Sequence, residues 1–117
     1  MVDVFIKRAY DEVESSDGAR VLVDKIWPRG VKKEDLALTD WCKEVAPSDT
    51  LRKWFNHDPD KWKEFRTRYL DELKENKPQA RELLGKSKDG RLTLVYGAKD
   101  TEHNHARVLR EYLKKME

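Results

Sequence analysis

Alternation and helical spacing of apolar positions divide the chain into elements. In VDVFIKR (2–8), Val2, Val4 and Ile6 alternate with Asp3, Phe5 and Lys7, the two-residue period of a strand. Glu14-Ser15-Ser16-Asp17-Gly18 is turn chemistry. Residues 20–27 read as a second strand centred on Val21, Leu22 and Val23. Residues 31–38 predict a loop or short helical turn, and 38–47 a short third strand. Ser48 is an N-cap for a helix over 49–56, where Leu51, Trp54 and Phe55 fall at i, i+3 and i+4. Asp58 and Pro59 suit the cap and first position of the next helix. That helix, 59–75, places Trp62, Phe65, Tyr69, Leu70 and Leu73 on one stripe. Pro78 opens a further helix ending near Gly85, and Asp89-Gly90 turns the chain into a core strand, 91–97. The last helix, about 102–116, buries Ala106, Leu109, Tyr112, Leu113 and Met116.

The two core strands are separated by helices, and a helical crossover favours parallel pairing. The expectation is one compact α/β domain over 1–117, a small, mostly parallel sheet with helices packed on it. An antiparallel ferredoxin-like sheet is the alternative.

Composition narrows the class. The chain has 117 residues, enough for one core. Charged residues make up 41%, but 25 basic and 23 acidic side chains nearly cancel, so no strong field toward a partner is implied. No apolar run is long enough for a membrane span, and no signal peptide is visible at the start, so a cytoplasmic location is expected. One cysteine, Cys42, excludes an intrachain disulfide and a cysteine-rich zinc site.

The stretch VLVDKIWPRGV (21–31) carries the first candidate chemistry. In open parallel sheets, ligands sit beyond the carboxyl ends of the strands. Asp24, Lys25, Trp27 and Arg29 then stand progressively nearer that rim. Pro28 ends pairing, and Gly30 lets the backbone turn. Alternation along the strand would put Asp24 on the face of Leu22 and Ile26, with Arg29 offering a forked partner. The other core strand ends in Tyr96-Gly97-Ala98-Lys99-Asp100, and Thr101-Glu102-His103-Asn104-His105 opens the last helix. Free N–H groups at a helix start favour anions. The two loops are expected to bring together Asp24, Arg29, Tyr96, Lys99, Asp100 and His105. The alternative is structural: Asp24 pairing with Arg29 or Lys99, and Asp100 only capping the helix.

Three segments are similar to one family: RVLVDKIWPRGVKKEDL (20–36), WCKEVAPSDTLRKWFNHDPDKWKEFRTRYLDEL (41–73) and LTLVYGAKDTEHNHARVLREYL (92–113). They resemble the YeaO-like proteins, small prokaryotic proteins, over nearly the whole chain. The most specific motif is W-P-R-G with A-P-S-x-x-L-R-x-W-F. The residues that match are Asp24, Trp27, Pro28, Arg29 and Gly30, then Trp41, Ser48, Arg52, Trp54, Phe55 and His57, and finally Tyr96, Lys99, Asp100, Asn104 and His105. The resemblance implies a compact α/β domain and carries over no reaction. A wider group of relatives has a Cys-His-Arg triplet near the last helix. The chain has Asn104-His105-Ala106 there, so the histidine is kept, while the thiol and guanidinium are not.

Together these residues predict a site for a small anionic, phosphate-bearing ligand at the carboxyl ends of strands 20–26 and 91–97. Asp24 and His105 are the candidate acid or base. Trp27, Arg29, Gly30, Tyr96, Lys99, Asp100 and Asn104 are the candidate ligand contacts. No cofactor is identified. His103 and His105 with Asp100 lack a metal-site spacing, so no metal is expected. Cys42 is read as a packing residue, although Lys43 beside it would favour a thiolate. Ser48 is read as a cap, and Trp54, Trp62 and Phe65 as core. The rival is a nucleic-acid-binding or regulatory module using Arg52, Lys53, Lys61, Lys63, Arg66 and Arg68, whose stripe is broken by interleaved acids.

Overall fold

The computed structural model describes residues 2–116. Four strands, β1 (Asp3–Arg8), β2 (Ala19–Leu22), β3 (Asp40–Trp41) and β4 (Arg91–Tyr96), form one sheet in the order β1-β4-β2-β3. Every pairing in it is parallel, which excludes the ferredoxin-like alternative. β2 and β4 are neighbours in register from Ala19 opposite Leu92 to Leu22 opposite Val95, so their carboxyl ends open on the same rim.

The helices are α1 (Lys33–Leu36), α2 (Asp49–Phe55), α3 (Trp62–Glu75), α4 (Lys77–Leu84) and α5 (His105–Met116). Ser48 caps α2: its Oγ accepts from Leu51 N at 3.2 Å and donates to Glu72 on α3 at 2.6 Å. Asp58 caps a short 3-10 turn, Pro59–Lys61, that runs into α3.

The two sheet faces are covered unequally. Val4, Ala19, Val21, Leu92, Leu94 and Tyr96 pack on Phe65, Tyr69 and Leu73 of α3 and Leu109 and Leu113 of α5. On the other face, Leu22, Val95 and Ala9 meet Leu36, with Trp27, Val31, Leu38 and Trp41 at the edge. Phe65 is therefore core, while Trp54 and Trp62 pack half-buried at its margin.

The strand expected over 38–47 pairs only at Asp40–Trp41 before a 3-10 turn, Lys43–Val45, and two further departures from the expected bounds shape the rim. β2 ends at Leu22, well before 26 or 27; a single bond from Val23 N to Val95 O (3.0 Å) prolongs the pairing. Asp24 then uses its side chain where the ladder would continue, its Oδ2 accepting from Gly97 N at 2.9 Å. Alternation stops there, so Asp24 does not share a buried face with Leu22 and Ile26: Leu22 is fully buried and Ile26 is 62% exposed. The last helix begins at His105 rather than 102 because Asp100 folds the preceding segment. Asp100 Oδ1 accepts from Glu102 N and His103 N, and Asn104 Oδ1 then accepts from Arg107 N at 3.2 Å. No helix among the described residues is long and apolar enough to cross a membrane.

Candidate functional site

A cavity of about 520 Å³ lies beyond the carboxyl ends of β2 and β4. The 24–29 turn forms one wall, the 97–105 segment another, and the end of α2 with Asn56 and His57 a third. Two bonds from opposite directions hold the first wall. Trp27 Nε1 donates to Val31 O at 2.7 Å, closing the turn on itself, and Tyr10 Oη donates to Arg29 O at 2.9 Å. Gly30 takes φ +77°, which a side chain rarely adopts, so the Trp-Pro-Arg-Gly turn depends on it.

Asp24 and His105 meet at the base. His105 Nε2 lies 3.0 Å from Val23 O and 3.1 Å from Asp24 Oδ1. A carbonyl can only accept, so Nε2 carries the proton and directs it at Val23 O. Asp24 Oδ1 is buried and makes no hydrogen bond among the described residues. Trp41 Nε1 fixes the Asp24 backbone, donating to its carbonyl at 2.6 Å. The Tyr69 ring stands edge-on to His105 with centroids 6.1 Å apart. Its hydroxyl donates to Val45 O at 2.5 Å, and burial pushes that phenol well above its ordinary pKa, helped by the Glu72 and Asp24 carboxylates.

The expected contacts divide into two groups. Asp24, Trp27, Arg29, Asn104 and His105 line the cavity. Lys99, Asp100, Tyr96 and Gly30 do not. Lys99 is exposed, and Tyr96 is buried in the core. Asp100 caps the segment and pairs through Oδ2 with His103 Nδ1 at 2.9 Å; these bonds hold its carboxyl down at about 2. Asn104, almost fully buried, donates from Nδ2 to Asp100 O and caps α5. Asp24 makes no ion pair with Arg29 or Lys99; the Gly97 amide and His105 are its partners.

Lys25, expected near the rim, faces this space, and so do Arg52, Lys53, His57 and His103, which the sequence did not bring to it. Arg52 and Lys53 sit on α2, which is distant in sequence from the rim loops and is brought to them only by packing. Lys25 and Arg52 share Asp49 as an exposed ion-pair partner at 3.5 Å each. Lys53 and Arg29 have no acidic partner among the described residues. His57 takes φ +54° directly after Asn56 at φ +46°, two consecutive left-handed non-glycine residues at the cavity wall.

Thiol and metal chemistries find little support in this geometry. Burial and the Glu44 carboxylate push the Cys42 thiol up to about 11, and Lys43 instead lies over the Trp41 ring, 4.1 Å from its centroid. No three His, Cys, Asp or Glu side chains among the described residues are grouped to hold a metal. Of the α2–α3 bases, Arg66 pairs with Glu111, Arg68 with Glu64, and Lys61 Nζ donates to Trp54 O.

The fold is a small α/β domain whose one sheet is parallel throughout, with Asn104 and His105 at the start of its last helix. The chain belongs to a YeaO-like family, described as the inactive DUF488-N3 subclade, whose family model matches residues 3–116. It is 45% identical to the uncharacterised protein YeaO of Escherichia coli (strain K12) over 115 residues, covering 98% of this chain and 100% of that one. An uncharacterised protein of Mycobacterium bovis (Mb3100c) is 41% identical over 112 residues, 94% of this chain and 92% of its own. The same identity and coverage hold for Rv3073c of Mycobacterium tuberculosis (strain H37Rv). No solved structure matches the chain.

Proposed function

We propose that the cavity at the carboxyl ends of β2 and β4 binds a small anionic, phosphate-bearing ligand without turning it over. One observation carries this reading: Lys25, Arg29, Arg52 and Lys53 line the cavity, and Asp24 is the single acid among its lining residues. Arg29 and Lys53 are exposed and have no acidic partner among the described residues, so an incoming anion breaks no described ion pair to reach them. A forked guanidinium suits two phosphate oxygens.

The residues around His105 support binding without turnover through a hydroxyl or thiol nucleophile. Nucleophilic catalysis through a hydroxyl or thiol needs that group beside a base. Asn104 stands before His105 and is used as a helix cap, and Cys42 is held protonated. The description of the subclade as inactive agrees with this.

A thermal-shift series with phosphate, pyrophosphate and mononucleotides tests the reading. Stabilisation of the wild type by several degrees is expected, falling by at least half in Arg29→Ala and Lys53→Ala and unchanged in Lys99→Ala, which lies outside the cavity. No shift with any anion, or an equal shift in Arg29→Ala and Lys53→Ala, would remove it.

A further inference from the structure

A second cavity, about 550 Å³, opens between α3 and α5 and is lined by Trp62, Glu102 and His103 together with a set of bases. Those bases are Arg66, Arg107, Arg110 and Lys114. His103 lines both this groove and the rim cavity, so the two adjoin at its ring. Trp62 stands edge-on to His103 with centroids 5.4 Å apart, which makes the junction aromatic. The groove's acids are Glu102 and Glu111, and Glu111 is engaged by Arg66. Arg107, Arg110 and Lys114 have no acidic partner among the described residues; Arg107 and Arg110 hydrogen-bond only backbone carbonyls, Thr101 O and Val4 O.

Each cavity is thus lined by four Lys or Arg, in a chain whose 25 bases and 23 acids nearly cancel. The fold gathers this excess from the 24–29 turn, α2, α3 and α5, which explains why no basic run announces it in the sequence. A single phosphate fills one cavity. Two adjoining basic cavities separated by aromatic rings suit a ligand that repeats its negative charge and carries flat groups between the charges, which is the description of a single nucleic-acid strand.

We infer that the rim cavity and the α3–α5 groove form one continuous track for single-stranded nucleic acid, with a phosphate at Arg29 and Lys53 and further phosphates along Arg107, Arg110 and Lys114. This rests on the anion-site reading and extends it from one phosphate to a strand. His57, at the wall beside Lys53, and Trp62 and His103, at the junction, are the rings available to bases.

Fluorescence anisotropy with single-stranded RNA and DNA of about ten nucleotides, within the usual site size of such grooves, tests the inference. The wild type is expected to bind an oligonucleotide at least about tenfold more tightly than a mononucleotide. Affinity should fall with salt, with a logarithmic slope of about 0.7 per phosphate neutralised. The double variant Arg107→Ala, Lys114→Ala should lose the advantage of length and about 1.4 of that slope. Its stabilisation by pyrophosphate should match the wild type. An oligonucleotide that binds no better than a mononucleotide overturns the inference and leaves the anion site standing. So does an unchanged length dependence in the double variant, or equal affinity for inorganic polyphosphate of the same charge. Absence of binding by pyrophosphate and oligonucleotides alike overturns both.

Discussion

His105, the first residue of α5, places Nε2 3.0 Å from the carbonyl of Val23 and 3.1 Å from Asp24 Oδ1. The same carboxylate takes the Gly97 amide through Oδ2 at 2.9 Å. One aspartate therefore joins the end of β2, the end of β4 and the start of α5, the three pieces of chain that frame the base of the cavity. Asp24 is thus a joint of the fold that holds these walls together.

Replacing Asp24 separates these roles. Asp24→Ala leaves the Gly97 N–H without its acceptor and is expected to destabilise the protein by about 1–3 kcal/mol in urea unfolding. Asp24→Asn keeps an oxygen for Gly97 but sets an amide NH2 against the His105 N–H. A smaller loss, about 1 kcal/mol, is expected, together with a changed ring environment for His105 by proton NMR. Asp24→Ala with wild-type stability would contradict the joint.

Asp100 gives a pH dependence with a defined sign. Its carboxyl is held down from the ordinary 3.8 to about 2 by the Glu102 and His103 amides and the His103 ring. A depressed aspartate stabilises the folded state above its unfolded value and loses that contribution as pH falls through its folded value. The capped 97–105 segment should therefore lose protection between about pH 4 and 2, read by hydrogen exchange at Glu102 and His103. In Asp100→Asn that step should vanish; a step of the same size would show that another group governs it.

Cys42 is expected to be inert. With its thiol pushed up to about 11, the thiolate is scarce near neutrality. Iodoacetamide at pH 7.5 should label the native chain far more slowly than the urea-unfolded chain. Equal rates would contradict the burial described for this side chain.

Tyr69 tests the core beneath the site. Its hydroxyl is the partner of Val45 O deep under α3. Tyr69→Phe leaves that carbonyl unpaired and is expected to cost about 1–2 kcal/mol, lowering Tm by several degrees in a calorimetric scan. An unchanged Tm would mean that the carbonyl finds another donor.

The sequence conveyed the fold better than the site, for physical reasons. Strand alternation, the caps at Ser48 and Asp58, and the α3 stripe of Phe65, Tyr69 and Leu73 are local signals, and each element formed close to where they put it. Parallel pairing followed from the helices between β2 and β4. The ends of elements were less legible, because they depend on side chains replacing backbone partners. Asp24 ends β2 by taking Gly97 N, and Asp100 delays α5 by taking two amides; both bonds exist only after the turns have closed. The rim was legible at Asp24, Trp27, Arg29, Asn104 and His105, which lie on the two loops the sheet brings together. Arg52, Lys53 and His57 were hidden because α2 reaches the same rim through its packing on α3, and nothing in its mixed charge sets it apart from a solvated helix.

The most direct measurement is an amide NMR titration of the full chain with pyrophosphate, with residues assigned. Saturable shifts are expected at Lys25, Arg29, Lys53, His57 and His105, around the rim, with Lys99 and the far ends of α3 and α4 unmoved. Shifts centred outside that rim, or none up to millimolar pyrophosphate, would contradict the claim that the carboxyl ends of β2 and β4 form an anion site.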